Sequence, residues 1–517
     1  MYAIPDVNEV VAAAEALGMR LGPDEAALYR AQLIEQLDVL DEFVQERMDE
    51  GKPAVHYAAR EPGYRPSAAE DPLNAWLLKC HIEGAADGPL AGKTVSYKDH
   101  IAVAGVPLTF GSYVMEDFVP DFDATVVTRV LEAGGTIVGK HTMNGLTGGF
   151  GFGGGIGDYG RPKNPHKPAH LTGGSSSGSA AAIVNGEVDI SFGGDQGGSI
   201  RIPAALSGCV GLKPTFGLIS HFGIGFGSDQ SIDYTGPMAR TVEETAAAFQ
   251  VTAGYDGLDP RQGREIPETV DALSTLGDGV KGLRIGILDE GYLDAEADVI
   301  DTVNAAVEVL SSAGAVVSKV SVPEHMRVRD VQGALGAEGT LALLHSGYFG
   351  AFARTYYPPS LIAAINQVWA NHIDLLNPRT KLNYLLGEFS RRNYHGRVYA
   401  KAQNVRPSFI RAYDQALAEN DVLVMPTCIL KAPEYVAPDG HKAALEEALA
   451  RTNVASRNTQ PFNYTGHPAL AVPCGKAAGL PVSMQLVGRF FDDALLLRVA
   501  YAFQQSVDYA SIISVEK

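Results

Sequence analysis

Apolar residues recur at three- and four-residue spacing through VNEVVAAAEALG (7–18) and DEAALYRAQLIEQLDVLDEFVQERM (24–48). That spacing predicts two amphipathic helices, separated where Gly18 and Gly22 fall. A polar, proline-bearing stretch follows, REPGYRPSAAEDP (60–72). From about residue 90 the pattern changes to short apolar runs alternating with helical periods. KTVSYKD (93–99) reads as a strand, DATVVTRVLEAG (123–134) as a helix and TIVGK (136–140) as a strand. GLRIGI (282–287) opens another strand, and residues 297–322 read as a helix then a strand. Residues 330–420 are mostly helical and rich in aromatics. The chain then returns to strands at DVLVMPT (421–427), PALAVPC (468–474) and PVSMQLVG (481–488), closed by the helix DDALLLRVAYAFQQ (492–505).

Strands at both ends of this region predict one sheet built from distant segments. The expected fold is α/β, a large mixed β-sheet sandwiched by helices, with residues 1–66 as an N-terminal helical appendage and linker and 67–517 as one large domain. A length of 517 residues would by itself suggest about three domains of roughly 150 residues, but no internal repeat or second linker supports that division.

Composition narrows the function classes. A hydrophobic fraction of 46% and a charged fraction of 20% describe an ordinary globular protein with ample core. A net charge of −19 opposes a nucleic-acid surface, which needs clustered Lys and Arg against phosphates. The four cysteines, Cys80, Cys209, Cys428 and Cys474, form no CxxC pair and no zinc-finger spacing with His, so neither a disulfide framework nor a metal is expected. The start MYAIPDVNEV lacks a basic region followed by an apolar one, and no apolar run reaches 18 residues. A cytoplasmic protein with no membrane partner is the expectation.

Two glycine-rich stretches invite a phosphate-site reading and fail it. GPLAGKT (88–94) misses the P-loop spacing by one residue and leads into a strand rather than a helix. GFGFGGGIGDYG (149–160) satisfies GxGxxG twice, yet RPKNPHKPAH follows it and cannot form the helix such a site requires.

The third stretch is different. In LTGGSSSGSAAAIVNGEVDISFGGDQGGSIRIPAA (171–205) two Gly-Gly-Ser clusters stand 24 residues apart, from Ser175 to Ser199. AAAIVNG (180–186) follows the first cluster as a short helix and VDISFGG (188–194) as a strand, so the cluster is embedded between packed elements and is no linker. No GxSxG elbow surrounds either serine. Helix N-termini and glycine-rich turns present backbone N–H groups that can hold an oxyanion.

Residues 173–205 resemble the signature of the amidase signature family. VSYKDHIAVAGVPLTFGS (95–112), GCVGLKPTFGLIS (208–220), DYTGPMARTVEETA (233–246), DVLVMPT and FNYTGHPALAVPCGKAAGLPVSMQLVG (462–488) continue the likeness in order. The resemblance extends to the bacterial nitrile-pathway amidases with an N-terminal helical region. It implies a catalytic triad without histidine: Ser199 as nucleophile, Ser175 after a cis peptide from Gly174 as proton relay, and Lys98 as base. It also implies that the N–H groups of Gln196, Gly197, Gly198 and Ser199 form the oxyanion hole. Asp195 and Arg201 are then a structural pair that fixes this loop, and Ser176 and Ser177 hold the first cluster.

A lysine has a pKa near 10.4 in water, so as a base at neutral pH it must be lowered by roughly three units, about 4 kcal/mol of differential stabilisation. Three features depart from the family's common pattern. His100 stands where Asn usually follows the Lys-Asp pair. Gly145 replaces a frequent acidic residue. The loop 145–160 is unusually glycine-rich. The variable stretch of about 260–420, including HSGYFGAFARTYYPP (345–359) and Trp369, either lines an acyl-side pocket or packs as ordinary core.

The function so implied is hydrolysis of a small aryl or alkyl amide, with anilides, carbamates and hydrazides as variants, without cofactor or metal. The partner is a small-molecule substrate, and the helical appendage would pack on the core or on a second copy in a homodimer. The competing reading is the A subunit of a tRNA-dependent amidotransferase.

Overall fold

The computed structural model describes residues 3–57, 59–143, 158–225, 229–346, 354–450 and 454–515. The chain divides into two compact units, Met1–Lys52 and Pro53–Lys517.

The first unit is a helical pair. Helix α1 (Val7–Ala16) begins where Asp6 accepts the Glu9 N–H at 2.8 Å, while Glu9 accepts the Asp6 N–H at 2.7 Å. This reciprocal box satisfies two N–H groups that the first turn cannot. Helix α2 (Pro23–Gln45) starts on a proline, which lacks the N–H that a first helical position leaves unpaired.

The second unit is built on an eleven-stranded mixed sheet. Its strands are β1 (Trp76–Ile82), β2 (Thr94–Lys98), β3 (Thr136–His141), β4 (Ile190–Asp195), β5 (Val210–Lys213), β6 (Tyr234–Ala239), β7 (Arg284–Leu288), β8 (Val316–Val320), β9 (Val422–Pro426), β10 (Ala469–Ala477) and β11 (Leu480–Val487). Their spatial order is β1-β3-β2-β4-β6-β5-β10-β11-β9-β7-β8. Strands β3, β2 and β4 run parallel, as do β9, β7 and β8, and antiparallel pairs join the two sets. The distant strands predicted at the two ends of the region do share one sheet.

Helices flank both faces. The helices of this unit include α3 (Thr125–Glu132), α4 (Ser177–Val184), α5 (Arg201–Ser207), α6 (Val242–Thr252), α7 (Ala297–Ser312), α8 (Val328–His345), α9 (Pro359–His372), α10 (Pro378–Tyr394), α11 (Arg397–Glu419), α12 (Gly440–Ala450), α13 (Gln460–Thr465) and α14 (Asp493–Ser506), of which α8 packs on α10, α11 and α13, and α10 on α12. Strand β10 shows how the faces divide, because successive side chains on a strand point to opposite sides. Leu470 and Val472 join the core formed with α3, α6, α7 and α14, whereas Ala471 between them packs with Ala180–Val184 of α4 and Ala204 of α5. Small residues on α4 and α5, Ala180, Ala181, Ala182 and Ala204, let these two helices lie close to the sheet.

Cys80, Cys209, Cys428 and Cys474 are free thiols. Among the described residues no helix is long and apolar enough to cross a membrane, and no group of His, Cys, Asp or Glu could hold a metal ion.

Candidate active site

Lys98 ends β2 and Asp195 ends β4, and these two strands are parallel neighbours with Tyr97 opposite Phe192. Both side chains therefore sit at the carboxyl edge of the sheet, where open α/β sheets bind ligands. The two Gly-Gly-Ser clusters arrive at the same edge because each leads into a helix: 173–176 precedes α4, and 196–200 connects β4 to α5. The Ser176 N–H donates to the Ser199 carbonyl at 3.1 Å, which ties the two loops together.

Lys98 is fully buried, and its Nζ donates to Ser175 Oγ at 2.7 Å. Ser175 is buried as well and follows a cis peptide from Gly174. Burial lowers the Lys98 ammonium to about 7, against the pull of the Asp233 and Asp195 carboxylates, which favour the charged form. A lysine so placed holds a substantial neutral fraction at neutral pH. Ser199 is half-buried and so is the more accessible of the two serines.

Asp195 and Arg201 make a two-pronged ion pair with no solvent exposure: Nε to Oδ2 and Nη2 to Oδ1, each 3.0 Å. Arg201 also donates to Gln485 Oε1 at 2.9 Å and Asn463 Oδ1 at 2.6 Å. Burial alone would raise the Asp195 carboxyl, but Arg201 and the Asn463 amide outweigh it and hold it at about 2. Asp195 further accepts the N–H groups of Gly198 at 2.6 Å and Ile200 at 3.2 Å.

That contact corrects one expectation. The Gly198 N–H, one of four expected to face an oxyanion, is donated to Asp195 Oδ1. Gly198 is nonetheless required, at φ +125° and with Thr459 Oγ1 occupying the place a Cβ would take.

The structure adds contacts that no motif announced. Gln196 Nε2 donates to Asp233 Oδ1 at 2.6 Å, and His221 Nε2 lies 3.2 Å from the same oxygen. Beside Lys98, Asp99 forms a fully buried ion pair with Lys140 of β3 and accepts the Thr109 N–H at 3.1 Å. The opposite charges of this pair offset one another next to the lysine. His100 is fully buried, with neither ring nitrogen hydrogen-bonded among the described residues, and its Nε2 fills the place a Cβ on Gly194 would take. Burial, then the charges of Lys98 and His221, push this imidazole well below its usual range.

Of the variable stretch, Trp369 is buried and meets Tyr384 edge-on at 5.6 Å between ring centroids. Tyr356 meets Phe222 at 6.3 Å. These rings belong to an apolar cluster with Phe110 and Phe122, so core packing accounts for Trp369. Residues 347–353, Gly145 and the glycine-rich loop as far as Gly157 lie outside the described residues. At the loop's end, Asp158 accepts from Ser112 Oγ at 2.8 Å and the Tyr113 N–H at 3.0 Å.

The chain matches the amidase family over residues 69–497. It is 41% identical over 449 residues to an enantioselective amidase of Rhodococcus rhodochrous, covering 86% of this chain and 85% of that one. It is 37% identical over 436 residues to the A subunit of the glutamyl-tRNA(Gln) amidotransferase of Natronomonas pharaonis, covering 83% of this chain and 99% of the relative. The peptide amidase structure from Stenotrophomonas maltophilia superposes with a TM-score of 0.64 at 30% identity, over 81% of this chain and 83% of that one. The chain belongs to the amidase signature family. It is a hydrolase acting on amide C–N bonds.

Proposed function

We propose that the chain hydrolyses a small aryl or alkyl amide to a carboxylic acid and an amine or ammonia through an acyl-enzyme on Ser199, with anilides, carbamates and hydrazides as related substrates. The observation that carries the reading is the contact of buried Lys98 with buried Ser175. Neutral Lys98 takes the Ser175 proton while Ser175 takes that of Ser199, whose Oγ attacks the amide carbon. The carbonyl π electrons move to oxygen, where the N–H groups of Gln196, Gly197 and Ser199 stabilise the charge. As the C–N bond breaks, the relay returns its proton to the leaving nitrogen. Water, deprotonated through the same relay, then releases the acid and regenerates Ser199.

The experiment is to treat the protein with a serine-reactive fluorophosphonate and map the adduct, alongside turnover of a panel of amides, anilides, esters and carbamates. Addition of the phosphonyl group to Ser199, with amide turnover lost in proportion, is expected. An adduct elsewhere with turnover lost would contradict the assignment.

The amidotransferase relatives favour one second reading, in which the chain is one component of a larger enzyme and works only with its partner. Amide hydrolysis by the purified chain alone supports the first reading. Activity that appears only with glutamine and an added partner chain supports the other.

A further inference from the structure

Three consecutive carbonyls ahead of α5 are each held by a side chain from a distant segment. Asn463 Nδ2 on α13 donates to the Asp195 carbonyl at 2.7 Å. Gln332 Nε2 on α8 donates to the Gln196 carbonyl, and Thr459 Oγ1 to the Gly197 carbonyl, each at 2.6 Å. In a planar trans peptide the C=O of one residue and the N–H of the next point in opposite directions. A side chain that holds a carbonyl therefore aims the following N–H away from itself. The loop contains its own check on this rule: with the Gly197 carbonyl on Thr459, the Gly198 N–H meets Asp195 Oδ1 at 2.6 Å.

The same rule applied one residue earlier concerns Gly197. Gln332 is buried, and its Nε2 lies 3.6 Å from where a Gly197 Cβ would stand. Its Oε1 has no hydrogen-bond partner among the described residues, so the contact with the Gln196 carbonyl is what orients this amide. A flipped amide would set two oxygens face to face, which fixes the NH2 toward the loop.

We infer that Gln332 is a positioning residue that, by holding the Gln196 carbonyl, aims the Gly197 N–H at the oxygen that becomes charged during acyl transfer. This rests on the reading of Ser199 as nucleophile with the loop N–H groups as oxyanion donors. Gln332 lies on α8, so this helix is tied to the loop geometry through the Gln196 carbonyl.

The test uses Gln332→Met, which keeps length and bulk but removes the donor, and Gln332→Asn, which keeps the amide on too short a stem. Turnover of an amide, the rate of Ser199 phosphonylation and the pH profile are measured on protein of known folded fraction. The phosphonyl oxygen sits where the oxyanion would, so its rate reports the same donors. Aimed donors are worth about a hundredfold or more each when removed outright, so loosening one should lower kcat about 10- to 100-fold in both variants. Phosphonylation should fall in parallel, with KM within about threefold and the pH limb unmoved.

A kcat within about threefold of wild type in Gln332→Met, or a loss confined to KM or to the folded fraction, would overturn the inference. If Gln332→Met fails to fold, Gln332→Asn is judged by the same outcomes. If both fail to fold, the inference is overturned in favour of a purely structural glutamine. An active Ser199→Ala variant would instead overturn the underlying reading and the inference with it. An inactive Ser199→Ala beside a fully active Gln332→Met would defeat the inference alone.

Discussion

Lys98 Nζ lies 2.7 Å from Ser175 Oγ in a contact that solvent does not reach. The partner is neutral, and that choice matters. A carboxylate in the same place would hold the lysine charged, whereas a hydroxyl leaves burial free to lower its pKa. Asp195, a nearby negative charge, is engaged by Arg201 on both oxygens, which blunts its pull on Lys98. The arrangement trades stability for a usable base.

That trade can be measured. Burial lowers Lys98 from 10.5 to about 7 in the folded protein. Between those values the unfolded chain binds more protons, so stability contributed at this site rises with pH across the window. Lys98→Met should be the more stable protein at pH 7, by roughly 4 kcal/mol if no rearrangement intervenes, and the difference should shrink toward pH 10. Urea unfolding of both proteins from pH 6.5 to 9.5 checks this; a constant difference would show that Lys98 is not destabilised by burial.

Asp195 behaves in the opposite sense. Its carboxyl is held at about 2, below its usual 3.8, so its stabilising contribution is full above that ordinary value and fades only as pH falls toward 2. Asp195→Asn leaves the Arg201 charge buried and unpaired, and should cost about 3–5 kcal/mol at any pH between 5 and 9. It should also release one of the Gly198 and Ile200 N–H groups, which are held by different oxygens of Asp195. Denaturant midpoints across that range test the prediction, and a loss below about 1 kcal/mol would mean that Asn463 and Gln485 suffice to hold Arg201.

An acyl-enzyme can be intercepted. Hydroxylamine should divert part of the product to a hydroxamate, in proportion to its concentration, and EDTA should leave the rate unchanged. Mass spectrometry of the products decides it. Free acid alone at high hydroxylamine, with activity lost to EDTA and restored by zinc, would replace Ser199 with a metal-bound water.

His100 is the group nearest the base that could be mistaken for it. Its imidazole is held well below the ordinary range, so it stays neutral from pH 6 to 9 and contributes no limb there. His100→Asn should keep the pH profile of wild type, even if the rate changes. A shifted or missing limb in that variant would assign the proton to His100.

The expected triad came from the likeness of residues 95–112 and 173–205 to the amidase signature, and the local elements explain only why these segments meet. The first Gly-Gly-Ser cluster leads into α4, the second links β4 to α5, and β2 within KTVSYKD ends on Lys98, so all three arrive at one sheet edge. Strand β6 was not predicted, and it contains Gly236 and Pro237, residue types that weaken a strand signal. Gly236 is needed there, since a Cβ would run into the Leu212 carbonyl. The loop's supports were hidden for a different reason. Gln332, Thr459 and Asn463 lie more than a hundred residues from the carbonyls they hold, and single hydrogen bonds of that reach leave no periodic trace. The Gly198 N–H was misread because a run of glycines offers donors without saying where each one points.

The pH dependence of kcat/KM in wild type and in Lys98→Ala bears most directly on the proposed relay. A base must lose its proton to work, so with Lys98 near 7 the wild-type rate should rise through that pH and level off above it. Lys98→Ala should lose the limb and most of the activity, and Lys98→Arg should restore neither, because a guanidinium stays protonated at any working pH. An unchanged limb near 7 in Lys98→Ala would contradict Lys98 as the base.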